Sequence, residues 1–96
     1  MENILIIDDD IQLTDLLDEF LSSHKYKIII KHIPEEGLEY LDKKNVNVII
    51  LDIMLPGMDG FQVLRKIREN KSIPVIMLTA RGEVTDRIVG LELGAD

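Results

Sequence analysis

Four short apolar runs constrain this chain more than anything else in it: Ile4-Leu5-Ile6-Ile7, Ile28-Ile29-Ile30, Val48-Ile49-Ile50-Leu51 and Val75-Ile76-Met77-Leu78. They are rich in β-branched residues and do not alternate apolar with polar. A strand with one face in water alternates, whereas a strand buried on both faces does not. The runs therefore predict strands of a parallel sheet covered by helices. The second run is framed by Lys27, Lys31 and His32. Charge beside a strand discourages further pairing, so this strand is expected at an edge.

Helical patterns separate the runs. Leu13, Leu16, Leu17, Phe20 and Leu21 follow a 3.6-residue period, with Asp10 as the expected N-cap. Pro34, followed by Glu35 and Glu36, reads as a helix start, with Leu38 and Leu41 on its inner face. Asp59 is expected to cap a third helix that buries Val63, Leu64 and Ile67. A fourth is predicted from about residue 83 to 93, with Val84, Ile88 and Leu91 on one face. The order β-α-β-α-β-α-β-α argues for an α/β fold with right-handed crossovers. Four helices for four strands leave one face of the sheet short of cover.

Composition narrows the chemistry. The 96 residues carry 11 Lys+Arg against 18 Asp+Glu, a formal charge of −7, which disfavours direct nucleic-acid binding. Cysteine is absent, which excludes disulfides, zinc-thiolate sites and a Cys nucleophile. No apolar run approaches the roughly 20 residues of a membrane helix. The start, Met1-Glu2-Asn3, has no basic segment of the secretory kind, so a cytoplasmic protein is expected.

The acids gather where strands end. Ligands of open α/β sheets bind beyond the carboxyl ends of the strands. Asp8, Asp9 and Asp10 follow the first run, Asp52 ends the third, and Thr79 ends the fourth. Close carboxylates repel unless one is protonated or a cation lies between them. Oxygen-only donors favour a hard ion such as Mg²⁺. Simple helix capping is the competing explanation for the Asp triplet, but one Asp suffices as a cap, and Asp10 is assigned to it. An Asp beside a bound cation can act as a nucleophile toward phosphorus. Asp52 fits that role, because the turn signals come only later, at Pro56-Gly57 and Asp59-Gly60. A Thr79 hydroxyl beside the small Ala80 could donate to an incoming phosphoryl group.

With these residues in place, the chain resembles the receiver domain of bacterial two-component response regulators. The resemblance spans residues 1–96. It rests on Asp8-Asp9, on Leu51-Asp52-Ile53-Met54-Leu55-Pro56-Gly57-Met58-Asp59-Gly60, and on Val75-Ile76-Met77-Leu78-Thr79-Ala80. The stretch from Thr79 to Glu83, with Asp86-Arg87 and Gly90-Leu91-Glu92-Leu93-Gly94-Ala95-Asp96, is similar to the subfamily with a winged-helix DNA-binding output domain. The resemblance implies a flavodoxin-like doubly wound sheet of order 2-1-3-4-5. It implies that Asp52 accepts a phosphoryl group from a sensor histidine kinase. It also implies that Asp9, Asp52 and the Met54 carbonyl bind Mg²⁺, with Asp8 acting through water, and that Thr79 reports the phosphoryl group. On activation, such receivers form homodimers through a fourth-helix face, here Arg87, Ile88, Leu91 and Asp96. Ile88 and Leu91 could equally be core, and periodicity does not separate the two. The family also has a fifth strand bearing a Lys, then a fifth helix, which would lie beyond Asp96. The chain is thus expected to be a receiver cut before its last β-α unit, without its output domain. Lys66 and Lys71 both follow the third helix and are not expected to replace that Lys.

Three rival readings compete with this one. An Mg²⁺-dependent phosphohydrolase with an aspartyl-phosphate intermediate would need an acid/base two residues after its nucleophile. Asp8-Asp9-Asp10 offers that spacing, but Met54 stands at that position after Asp52. A phosphorylation-independent pseudo-receiver would keep the scaffold and lose the chemistry. A flavodoxin-like cofactor binder shares the topology, but its loop after the first strand needs small and hydroxyl residues, not three acids.

Overall fold

A computed structural model describes residues 2–55, 57–79 and 87–88. The elements are β1 (Asn3–Ile7), α1 (Ile11–Ser22), β2 (Lys27–Lys31), α2 (Pro34–Lys43), β3 (Val48–Asp52), α3 (Gly60–Arg68), β4 (Val75–Thr79) and the two-residue β5 (Arg87–Ile88). All four apolar runs form strands. They pair in parallel in the order β2-β1-β3-β4, which leaves the Lys-framed β2 at an edge as expected.

The helix starts follow local chemistry. Asp10 caps α1 by accepting the Leu13 N–H at 3.1 Å. Pro34 sits at the start of α2, where its missing N–H costs nothing, and Glu35 and Glu36 occupy the positive end of the helix dipole. At α3 the Asp59 carboxylate accepts the Gln62 N–H at 2.9 Å, and Gln62 Oε1 accepts the Asp59 N–H at 3.0 Å. This is a reciprocal capping box, legible as the spacing Asp59-x-x-Gln62 and missed at the sequence level.

The step from β1 to β2 runs one way across the sheet, and the steps from β2 to β3 and from β3 to β4 run the other. Right-handed crossovers therefore put α1 on one face and α2 with α3 on the opposite face. The face under α2 and α3 holds the core: Leu5 and Ile7 of β1, Ile49 and Leu51 of β3, Val75 and Met77 of β4, packed with Leu41, Val63, Leu64 and Ile67. On the α1 face Ile4 and Ile6 are buried, but Ile28, Ile30, Val48, Ile50, Ile76 and Leu78 are only half-buried. Among the described residues, this face is thus the less covered of the two.

Two sequence expectations need correction. On α1 the fully buried residue is Thr14, whereas Leu16 and Phe20 are 63% and 60% exposed. Leu13, Leu17 and Leu21 are half-buried. The helix leans toward β2, where the Thr14 hydroxyl meets His32 Nε2 at 3.2 Å. The apolar stripe is real, but packing uses only part of it. The second correction concerns the expected fourth helix. Arg87–Ile88 is extended and pairs antiparallel with β4, Ile88 opposite Leu78 and Arg87 opposite Thr79. The outer edge of β4 carries unpaired backbone groups, and this segment satisfies some of them. The rest of that predicted helix, including Val84 and Leu91, lies outside the described residues, as do Ala80 and Asp96.

Candidate functional site

Strand order reverses direction at β1 and β3, so a crevice opens beyond their carboxyl ends. Asp8 and Asp9 follow β1, and Asp52 is the last residue of β3. Ile7 is opposite Leu51 in the ladder, so the residues that continue the two strands emerge side by side. One carboxylate oxygen from each of Asp8, Asp9 and Asp52 lies within 4.8 Å of the others.

Each acid is held differently. Asp8 is 2% exposed; its N–H donates to the Lys31 carbonyl at 3.1 Å, and its Oδ1 accepts the Asp10 N–H at 2.9 Å. Asp52 is 6% exposed, and its Oδ1 accepts the Met54 N–H at 3.1 Å. Asp9 is exposed. The β3–α3 loop is tied down on both sides, since the Ile53 N–H donates to the Leu78 carbonyl at 3.0 Å and the Gly60 N–H donates to the Ile53 carbonyl at 2.7 Å.

No described Lys or Arg forms a salt bridge with these carboxylates; the one described ion pair is Lys43–Glu39 on α2. Lys66 in the last turn of α3 and Lys71 beyond it line a cavity with Leu38, Leu41 and Ile67, at the end of α3 remote from its Asp59 cap. The expectation that both follow the third helix holds for Lys71 only, since Lys66 lies in the last turn of α3. Burial dominates the titration. It raises the Asp8 carboxyl from 3.8 to about 7, the Asp10 N–H opposes it, and repulsion from Asp52, Asp9 and Asp10 adds to it. Asp52 is also raised, chiefly by burial and then by repulsion from Asp9, against the hydrogen bond from Met54.

The donor set suits a hard divalent ion: carboxylate oxygens only, close together, two of them buried and for that reason protonated more readily than usual. This has a measurable consequence. A carboxyl whose folded pKa is raised binds more protons in the folded than in the unfolded chain, so it contributes stability below about pH 4 that is lost as pH rises through about 7. Without divalent ions, stability is expected to fall between pH 4 and 7.5 by on the order of 2–4 kcal/mol from this cluster. Millimolar Mg²⁺ is expected to reverse most of that fall at neutral pH. Urea denaturation at several pH values, with chelator or with Mg²⁺, reads both; a metal-free profile that rises over this window would contradict the burial argument.

Of the remaining sequence candidates, Thr79 ends β4 next to Leu78, which pairs with Asp52. Met54 is half exposed in the loop after β3, and its N–H, rather than its side chain, touches the site. Arg87 and Ile88 sit in β5 beside Thr79. Sequence reasoning took Gly60 as a turn signal, and its nearness to the Asp52 backbone appears only once α3 is packed. No described helix is long and apolar enough to cross a membrane.

Comparison with known proteins bears on the same residues. A family model described as the response regulator receiver domain matches residues 4–96. The transcriptional regulatory protein CpxR of Escherichia coli is 45% identical over 96 residues, which is all of this chain and 41% of that protein. The regulatory protein VanRc of Enterococcus gallinarum is 40% identical over 95 residues, or 99% of this chain and 41% of that protein. The chain thus spans about two-fifths of the curated relatives it matches. Among solved structures, the response regulator TrrA of Thermotoga maritima, crystallised with Mg²⁺ and BeF, superposes with a TM-score of 0.79 at 35% identity, covering 88% of this chain and 77% of that one. The N-terminal domain of a receiver protein from Methanoculleus marisnigri gives a TM-score of 0.80 at 34% identity, covering 84% and 68%.

Proposed function

The chain belongs to the response regulator receiver domain family, and from that premise we propose that it is a phosphorylation switch in which Asp52 accepts a phosphoryl group from the phosphohistidine of a sensor kinase. The observation that carries this reading is the meeting of Asp8, Asp9 and Asp52 within 4.8 Å at the point where strand order reverses. Asp9, Asp52 and the Met54 carbonyl would hold Mg²⁺, with Asp8 acting through water. When bound, the ion would neutralise charge on the phosphoryl oxygens and on the carboxylates around them.

The chain's own groups do the rest. The Met54 N–H occupies one lone pair of Asp52 Oδ1 and restricts the carboxylate's rotation. A carboxylate oxygen of Asp52 attacks phosphorus, an O–P bond forms, the N–P bond to the donor imidazole breaks, and the imidazole leaves with its electron pair. The Thr79 hydroxyl donates to the new phosphoryl group and links β4 to its presence. Added charge at a crevice already crowded with acids then biases the domain between two states. The relatives named as transcriptional regulators support a DNA-binding output outside this chain, in a cytoplasmic protein. Homodimerisation through Arg87, Ile88, Leu91 and Asp96 belongs to the same reading. For Arg87 and Ile88 it requires a helical arrangement other than the strand pairing observed.

The test is direct. Incubated with Mg²⁺ and acetyl phosphate, the protein should gain one phosphoryl group by intact mass. The modification should be lost to hydroxylamine, as an acyl phosphate is, and should not form in chelator. Steady turnover of many phosphoesters would instead favour a phosphohydrolase, and no gain of mass in the presence of Mg²⁺ would favour a pseudo-receiver.

A further inference from the structure

Gly60 opens α3 in an ordinary helical conformation, so the need for glycine there is not one of backbone freedom. Space is the constraint. A Cβ on Gly60 would stand 2.5 Å from the carbonyl oxygen of Asp52 and 2.7 Å from the Cα of Ile53. Both are backbone atoms of the segment that carries the candidate acceptor. A third neighbour, Met77 Cε at 3.1 Å, is a flexible tip that can give way; the other two cannot. The same residue donates its N–H to the Ile53 carbonyl at 2.7 Å. The first turn of α3 is itself braced by the Asp59–Gln62 capping box. The helix start is therefore a firm stop against which the Asp52–Met54 backbone rests.

We infer that Gly60 is a positioning residue: by lacking a side chain, it lets α3 seat against the Asp52 and Ile53 backbone and so fixes the Asp52 carboxylate and the Met54 peptide relative to Asp9. This rests on the phosphoacceptor reading for its functional consequence, but its structural consequence is independent of that reading. A methyl group at this position forces the two backbones apart by roughly 1 Å to reach ordinary contact. That displacement falls on Asp52 and Met54 and not on Asp8 or Asp9, which are anchored through β1 and β2. A ligand set whose members shift relative to one another by such an amount loses metal affinity even though every donor is present.

The experiment is an amide NMR titration with Mg²⁺ of the wild type, of Gly60→Ala, and of Val46→Ala. Val46 is buried at the opposite end of the sheet and serves as a control for lost stability alone. In the metal-free spectra, Gly60→Ala is expected to move the Ile53 and Met54 amides and leave those of Asp8 to Asp10 in place. With Mg²⁺, its affinity is expected to fall by roughly tenfold or more, while Val46→Ala stays within about twofold of wild type. Unshifted Ile53 and Met54 amides, wild-type Mg²⁺ affinity in Gly60→Ala, or an equal loss in Val46→Ala would each overturn the inference. If wild type binds no Mg²⁺ but the metal-free shifts are as described, the ion-binding reading fails and the packing role of Gly60 stands. Should Gly60→Ala not fold, Gln62→Ala, which removes the side-chain bond to the Asp59 N–H and loosens the same helix start, is read instead: unshifted Ile53 and Met54 amides there would overturn the inference.

Discussion

Asp52→Asn is expected to remove all detectable phosphate incorporation and, at the same time, to make the metal-free protein more stable. The two effects have separate causes. An amide oxygen is too weak a nucleophile to form the acyl phosphate, so the mass gain with acetyl phosphate should drop by at least about a hundredfold. The amide keeps the shape of the carboxylate, and its oxygen can still accept the Met54 N–H. What it lacks is charge. Asp52 is 6% exposed, with Asp8 and Asp9 beside it and no described salt-bridge partner, so its ionised form is unfavourable at neutral pH without an ion. Removing that charge is expected to add about 1–2 kcal/mol to stability at pH 7.5 in chelator. The gain should shrink as pH falls and the raised carboxyls take up protons, and should vanish or reverse in Mg²⁺. Urea midpoints across pH read the second effect, and intact mass reads the first. A variant that still takes up one phosphoryl group would move the acceptor role to another residue.

Leu5→Ala and Leu16→Ala, the same chemical change at two leucines, should differ by most of the protein's stability. Leu5 lies in the central strand β1, fully buried under α2 and α3. Truncating it removes transfer energy and leaves a cavity between strands hydrogen-bonded on both sides, at a cost of about 3–5 kcal/mol. A small domain has only on the order of 5 kcal/mol or somewhat more to lose, so much of the population should be unfolded or melt near room temperature. Leu16 is 63% exposed on α1. Its truncation should stay within about 0.5 kcal/mol, because little area is uncovered and Ala is a good helix former. Thermal melts of the two variants settle the comparison. A large cost at Leu16 would mean that the α1 face is covered in the folded protein.

That contrast also marks how far the sequence could be read. Ile4 to Ile7, Val48 to Leu51 and their counterparts specify strands because an unbroken β-branched run suits a strand packed on two faces, and all four formed. Asp10, Pro34 and Asp59 specify helix starts because capping is satisfied within a few residues. Leu16 and Phe20 match the same helical period as Leu17 and Leu21, yet only packing decides which half of a wide stripe is covered. Arg87–Ile88 read as helix from its neighbours but lies against an open strand edge, and pairing there overrode local propensity. Propensity is worth tenths of a kcal/mol per residue, and a sheet edge offers whole hydrogen bonds.

The same division holds at the site. The sequence alone determined which side chains stand at the ends of strands, because strand ends are a local property, and it determined that those side chains were acids and a threonine. Only the tertiary structure made β1 and β3 neighbours, so that Asp8 and Asp52 became buried close together, each with its pKa raised chiefly by burial. Desolvation and repulsion depend on distance through space, which a linear spacing does not contain. The demand for glycine at position 60 has the same origin, since it reflects how closely one backbone approaches another, and that distance is set when α3 docks against the end of β3.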